Sequence, residues 1–405
     1  MRADAPRTQT ATFLLLFALA WVGAAIAYVP FLTILLPVRI EALAAASGVA
    51  AAPVQWLSTL AFAGAIAASA GNIAFGWASD LVGGRRTWVA AGLVLSACLL
   101  PLFAGVSSLG GLLALLVCWQ LALNMMIGPL SAWAGDCVPD AYKGKLGGMM
   151  AFAPAAGALV GALITVPGLA GTNARLLIVS LLEVCCVAPL LLFGIAAARM
   201  QPERDSPAAS FDTPARAVLL RMWLARLLVQ ISEATLFAYL YFWLRSLDPA
   251  ASDALTARVF GGMLMVSAPL ALVVGGWADR HNQPLLPLSV GAAGAAAALL
   301  LMAASFTPGQ AIAAYALFSL CSSVFLALHS AQTLRVLPRS NRRGRDLGLF
   351  NLTNTVPSLI MPGLTMALIP SLGFRALFVL LAVLAFGASA LLVLTRASDS
   401  PASQD

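Results

Sequence analysis

One charged phrase stands twice in an otherwise apolar chain. Gly76-Trp77-Ala78-Ser79-Asp80-Leu81-Val82-Gly83-Gly84-Arg85-Arg86 is echoed by Gly275-Gly276-Trp277-Ala278-Asp279-Arg280. Gly76 recurs at Gly275 and Asp80 at Asp279, a common offset of 199 residues, while the tryptophans slip by one. A second phrase keeps the register: Val138-Pro139 with Lys143-Gly144-Lys145, then Leu337-Pro338 with Arg343-Gly344-Arg345. Two phrases at one offset imply a duplicated domain.

The solvent for that domain is lipid. The chain is 61% hydrophobic and 10% charged, where soluble domains carry about 25% charged residues. A membrane span takes about 20 apolar residues. Twelve such runs follow one another, at roughly 12–38, 55–77, 87–106, 111–134, 146–168, 175–197, 217–246, 255–277, 285–305, 310–334, 347–369 and 374–394. The first is too long for the ~7–15-residue apolar stretch of a signal peptide, so it reads as a retained first span. The longest polar stretch, Arg199 to Arg216, has the composition of a linker. It divides the chain into six-span halves, 1–198 and 217–405, joined by 199–216. Repeated membrane bundles of this kind are the pattern of alternating-access carriers.

The net charge of +7 does not imply nucleic acid, because the basic residues sit mostly in short loops between apolar runs. Sixteen of the 23 Lys and Arg fall on the side of the N-terminus. Five fall opposite (Arg39, Arg175, Arg245, Arg258 and Arg375), and Arg221 and Arg226 lie within span seven. This bias places both termini in the cytoplasm of a protein of the cell inner membrane. Five of the six cysteines lie inside apolar runs and Cys137 ends one; they are expected to be buried small hydrophobes, not a disulfide framework. His281 and His329 are the only histidines, so no metal-ligand set is expected. With no glycine-rich phosphate loop and no nucleophile–base constellation, neither a cofactor nor an enzyme activity is expected.

Ionisable residues inside spans are costly unless paired or watered, which makes each a functional candidate. In span seven Arg226, Gln230, Glu233, Phe237 and Tyr241 follow helical spacing along one face. Glu233 falls near mid-membrane, where the charged form is disfavoured by desolvation. A group that gains and loses a proton as access changes is what proton coupling requires. Arg226 lies two turns away, about 10 Å by helix rise, and is assigned to substrate. Span ten carries Ser322, His329 and Gln332, and the imidazole is a second candidate for proton carriage. Span four offers Gln120 and Asn124, whose amides both donate and accept, with Gly128 and Ser131 at near-helical spacing. Span one offers Trp21 and Tyr28, suited to the apolar side of a sugar ring or to a membrane interface. Glu183 in span six fits none of these stripes and is expected to be a protonated carboxyl bonded to a neighbouring span.

The Gly76–Arg86 phrase resembles the signature loop between spans two and three of the major facilitator superfamily, and Gly275–Arg280 its degenerate partner between spans eight and nine. Asn124 with Gly128-Pro129, Asp136-Cys137-Val138-Pro139, and Val336-Leu337-Pro338 through Gly344-Arg345-Asp346-Leu347-Gly348 with Asn351, Asn354 and Pro357 resemble the glycoside and sucrose-type cation symporters of that superfamily. Leu81 stands where that loop usually has a basic residue, and His329 where the related phrase often has an acid. The resemblance implies an all-α membrane fold of twelve helices in two six-helix repeats around a cavity lined by spans one, four, seven and ten. It also implies a cytoplasmic gate. Asp80, Arg85 and Arg86 would meet the start of span eleven near Gly344–Gly348, with Arg345. Asp279 and Arg280 would meet the start of span five near Gly144–Gly147. Span five, Ala153-Pro154-Ala155-Ala156-Gly157-Ala158-Leu159-Val160-Gly161, also bears a faint likeness to drug/proton antiporters.

The expectation is a monomeric secondary transporter that moves a small polar solute, a sugar or glycoside, with protons. Sodium is the alternative coupling ion. Glu233 and His329 would carry the proton, and Tyr28, Gln120, Asn124, Arg226, Gln230 and Gln332 would contact the solute. The competing expectation is an efflux antiporter for amphiphilic compounds. A transporter-like sensor, binding ligand without flux, is a third.

Overall fold

A computed structural model of the chain describes residues 11–47, 52–138, 146, 149–150, 152–194, 213–281, 283–336 and 343–398. Over these residues the chain forms twelve helices. They are α1 (Ala11–Ala46), α2 (Ala52–Val82), α3 (Arg85–Gly105), α4 (Leu109–Cys137), α5 (Ala153–Ile164) and α6 (Thr172–Phe193). Then follow α7 (Thr213–Leu247), α8 (Asp253–Arg280), α9 (Leu286–Ala303), α10 (Pro308–Val336), α11 (343–372) and α12 (374–398). Gly373 separates the last two, with φ of 71° and ψ of −177°, a conformation that a residue with a Cβ rarely adopts. Ten segments are long and apolar enough to cross a bilayer, the last of them containing most of α11 and α12. The chain is a multi-pass membrane protein. The expected linker at 199–216 lies outside the described residues except for the first turn of α7.

Two compact units form. One comprises residues Met1–Glu203 with Asp253–Gly261, and the other Arg204–Ser252 with Gly262–Asp405. The first turns of α8 go with the first unit. Asp253 at the start of α8 pairs with Arg175 of α6 at 2.5 Å. Gly261 sits so close to α5 that a Cβ there would be 3.0 Å from the Ala158 carbonyl oxygen.

In the first unit α1 packs on α5 and α6, while α4 packs on α2 and α3. Gly92 of α3 lies directly on the α4 backbone at Met125 and Met126, where any Cβ would collide. Within α1, Pro30 lacks an N–H, and the turn after it, Phe31–Leu35, widens to a π-helix. Thr33 donates its hydroxyl to the Val29 carbonyl there (2.7 Å). The widened turn carries Phe31 against Phe103 and Trp119, with ring centroids at 4.6 and 4.7 Å. That cluster joins α1, α3 and α4.

In the second unit α7 packs on α10 and on the α11–α12 pair, and α9 packs on α10 and on that pair. Its core contains Val229 of α7, Leu288 and Ala292 of α9, Phe325 of α10 and Leu392 of α12, all at 0% exposure. The outer surfaces are apolar. Ile73, Leu181, Phe193, Leu272 and Val383 are all exposed, as helices bathed in lipid require. This corrects the expectation for the cysteines. Cys98, Cys118 and Cys185 are exposed, Cys186 and Cys321 half-buried, and only Cys137 is buried, all as free thiols. An apolar run in a membrane protein does not have to face inward, because its solvent is itself apolar.

Candidate functional site

The second unit holds Arg226, Glu233 and His329 within its spans. Glu233, half-buried at the middle of α7, accepts a hydrogen bond from the Ser322 hydroxyl of α10 at 2.7 Å. Tyr315, one face up α10, is 3% exposed and lies within electrostatic reach of the carboxyl. Neither Tyr315 nor Ser319 was singled out in the sequence, yet Tyr315, Ser319 and Ser322 stand at i, i+4 and i+7. That spacing is a helical stripe aimed at one neighbour. Gln230, one turn before Glu233, buries its Oε1 without a partner.

Two turns towards the start of α7, Arg226 is bound on several sides. Its Nε donates to the Thr353 hydroxyl of α11 (3.1 Å), and its Nη1 to the Leu326 carbonyl (3.2 Å) and Ser330 hydroxyl (2.9 Å) of α10. The guanidinium thus ties three helices together, which its spacing along α7 did not show. His329 is 0% exposed. Its Nε2 is 2.9 Å from the Met222 carbonyl of α7, and its ring lies 5.4 Å from that of Phe325. Tyr241 is buried, stacked edge-on to Phe242 at 5.4 Å, so the aromatic end of the predicted stripe packs inside the unit. Gln332 is half-buried near the end of α10.

In the first unit the polar contacts between α2 and α4 are made by neutral amides. Asn124 of α4 donates to the Gln120 carbonyl (2.9 Å) and accepts from Asn72 of α2 (3.4 Å). Gln120 and Asn124 are each 8% exposed. Tyr28 is half-buried on α1. Charge gathers instead at the α2–α3 turn. Gly83 and Gly84 take φ of 74° and 70°, a left-handed pair that reverses the chain within two residues and brings Arg85 back over the end of α2. Arg85 pairs with Asp80 and with Asp136 of α4 (3.0 Å), and donates to the Ser79 hydroxyl (2.6 Å). Its side chain is 13% exposed, against 59% for Asp80 and 39% for Asp136. These four residues line an open cleft. Asp136 had been noted only as part of a phrase; its role as the third member of this cluster depends on the α2–α4 contact. Arg86 and Arg280 are exposed. The side chains of Asp279 and Arg345 lie outside the described residues, as do residues 144–145 and the side chains of 343–352, so the expected gate contacts fall outside them too. Among the described residues no group of three His, Cys, Asp or Glu is placed to hold a metal ion.

Residues 222–405 match the family model described as Major Facilitator Superfamily. No curated protein matches the chain. Several solved structures do. The POT family transporter PepTSo is 13% identical with a TM-score of 0.73, covering 98% of this chain and 99% of its own. A POT family transporter in complex with a thioalcohol-conjugated peptide is 15% identical at a TM-score of 0.71, with 95% of each chain covered. A bacterial homolog of the human lysosomal transporter Spinster, inward-facing and occupied, is 13% identical at a TM-score of 0.70, covering 96% and 98%. The chain has the twelve-helix major facilitator fold.

Proposed function

We propose that the chain is a secondary active transporter of the major facilitator superfamily that moves a small polar solute with protons by alternating access. The observation that carries this reading is the Glu233–Ser322 pair. It is an ionisable carboxyl at the middle of a spanning helix, held by a hydroxyl of another helix. An intramembrane carboxyl is retained against a cost of several kcal/mol, and proton exchange is the use that repays it. Glu233 is the proton carrier in this proposal, with His329, bound to the Met222 carbonyl, second.

The amides of Gln120, Asn124 and Gln230, with Gln332 and Tyr28, supply donors and acceptors for hydroxyl-rich solutes, which supports a sugar or glycoside. Arg226 supplies a fixed positive charge on α7. The relatives in fold were crystallised with other small polar ligands, a conjugated peptide and 5-aminolevulinic acid. These belong in the same panel. The Asp80–Arg85–Asp136 cluster, with Arg86, Asp279, Arg280 and Arg345, is assigned to a cytoplasmic gate, and both termini to the cytoplasmic side of the inner membrane.

The test is lumen pH in proteoliposomes as sugars, short peptides, 5-aminolevulinic acid and amphiphilic cations are added outside, with Glu233→Gln in parallel. Acidification with one solute, lost in the variant, is the expected result. Alkalinisation under an outward gradient of an amphiphile would replace this reading with antiport. Solute flux that follows a sodium gradient and ignores pH would remove the proton.

A further inference from the structure

Helix α8 is shared between the two units. Its first turns, Asp253–Gly261, belong to the first, and the remainder, from Gly262 onward, to the second. Two contacts hold the first turns. At the start, Asp253 accepts the Ala254 N–H through Oδ1 (2.8 Å) and the Arg175 Nη1–H through Oδ2. Arg175 also donates from Nε to the Ala170 carbonyl (3.1 Å), so one guanidinium ties the α5–α6 turn to the first residue of α8. Two turns along, Gly261 closes on Ala158 of α5. Ala254, Ala257 and Gly261 stand at i, i+3 and i+7, on one face of the helix, and both alanines are buried.

Arg175 lies in the first turn of α6 and Asp253 begins α8, after five and seven spans, so both lie at the face opposite the N-terminus. Other charges at this face act closer to home. Arg258 donates to the Ala254 carbonyl within α8, and Arg245 to the Ala251 carbonyl in the α7–α8 turn. The bond from Arg175 instead reaches across to another helix. Its partners are mostly shielded, the Arg175 side chain 14% exposed and that of Asp253 23%, so water weakens their attraction less than it weakens a surface pair. The seam below is different in kind. Ala254, Ala257 and Gly261 carry nothing larger than a methyl, which permits close approach without interlocking. The ion pair therefore gives the contact its grip. Helix α8 also runs unbroken from Asp253 to Arg280. Movement of the part that belongs to the second unit is carried along the helix to these first turns, and the ion pair resists it.

We propose that the Arg175–Asp253 pair is a releasable latch at the face opposite the N-terminus. It holds the start of α8 on the first unit while that face is shut, and it parts when that face opens. The inference rests on the alternating access proposed above. Parting leaves neither group bare: Arg175 keeps the Ala170 carbonyl, Asp253 keeps the Ala254 N–H, and water takes the remaining positions. The α5 seam at Ala158 then separates without withdrawing a large side chain.

The test is a distance at the other face, measured by pulsed dipolar spectroscopy on the full chain in lipid nanodiscs. Spin labels on non-thiol side chains replace Val82 and His281, exposed residues at the far ends of α2 and α8, and leave the native cysteines unlabelled. Asp253→Asn and Arg175→Gln are each expected to move the ratio of two distance populations roughly tenfold or more toward the shorter one, because the labelled face closes as the latched face opens. The exchange of Arg175→Asp with Asp253→Arg is expected to recover part of that shift. If the single variants do not fold, the opposite change carries the test. Ala158→Cys with Gly261→Cys would place the two Cβ atoms 3.7 Å apart, inside the range of a disulfide. Oxidising that pair is expected to remove the shorter population, and reduction to restore it. Distances that stay fixed while thermal stability falls would make the pair a structural staple, with α8 bending at Gly261-Gly262 instead, and would overturn the proposal. So would a shift that the exchange does not reverse at all, or distances indifferent to the disulfide. The readout needs no solute. A protein that moves no solute but shifts these distances keeps the latch and loses the transport reading; one that transports with distances fixed in every variant loses the latch alone.

Discussion

The two units share an architecture and differ in where they keep charge. In the first, α2 and α4 meet through the amides of Asn72 and Asn124, and the partnered charges sit at helix ends, around Arg85 at the α2–α3 turn and between Arg175 and Asp253. In the second, the charges have moved into the helices: Glu233 with Ser322, and Arg226 with Thr353, Ser330 and Leu326. Glu183 breaks the pattern, as a carboxyl of the first unit buried within a span. Neutral hydrogen bonding can be placed anywhere two helices touch, but a charge in lipid must be given both a partner and a purpose.

The largest expected effect falls on the second unit. Glu233→Gln should abolish solute-driven proton movement while solute exchange at equal concentrations on both sides persists, measured as lumen pH and as labelled-solute counterflow. If proton movement survives, the contrast between the units loses its functional meaning.

Packing supplies the next contrast. A Cβ at Gly92 meets the α4 backbone at Met125 and Met126, whereas one at Gly294 of α9 meets the Cys321 sulfur at 2.7 Å, a side-chain atom that can turn away. Gly92→Ala should therefore cost about 1–3 kcal/mol as overpacking, and Gly294→Ala less. Thermal unfolding in detergent checks the order, and equal losses would show that both contacts are equally rigid.

Smaller again is the effect at the charged turn. Arg85→Ala removes contacts to two partly exposed carboxylates and a hydroxyl, and should lower stability by about 1–2 kcal/mol, with part of the loss screened by salt. Arg85→Lys should recover only part of it, because a single ammonium cannot span Asp80, Asp136 and Ser79 as the guanidinium fork does. Ser322→Ala is the mildest. It removes one hydrogen bond to Glu233, worth about 1 kcal/mol, and should shift the pH profile of transport without abolishing it. An unchanged profile would mean that Ser322 does not help to set the behaviour of the carboxyl.

Much of this was legible in the residues. The spans read as runs of apolar residues correspond to helices within a few residues at most ends, and the polar stripe of α7 was visible as spacing alone. Ser322 was on the list of polar residues in its span. Its pairing with Glu233 was not, nor was the capture of Arg226 by Thr353, 127 positions away in the chain. The inward placement of the cysteines was misread because, in a span, apolar side chains face lipid and core alike.

The sequence by itself determined the number of spans and the positions of the rare ionisable residues along each helix. Those are sums over neighbours in the chain, set by transfer from water to lipid and by helical rise. Only the tertiary structure decided which of those residues meet. Each helix can rotate about its axis and slide along its neighbour at no cost to its own hydrophobicity. That freedom is removed by close contacts between helices far apart in sequence, such as Gly92 on Met126 and Leu228 of α7 near Gly387 of α12. Once those contacts are made, Ser322 faces Glu233.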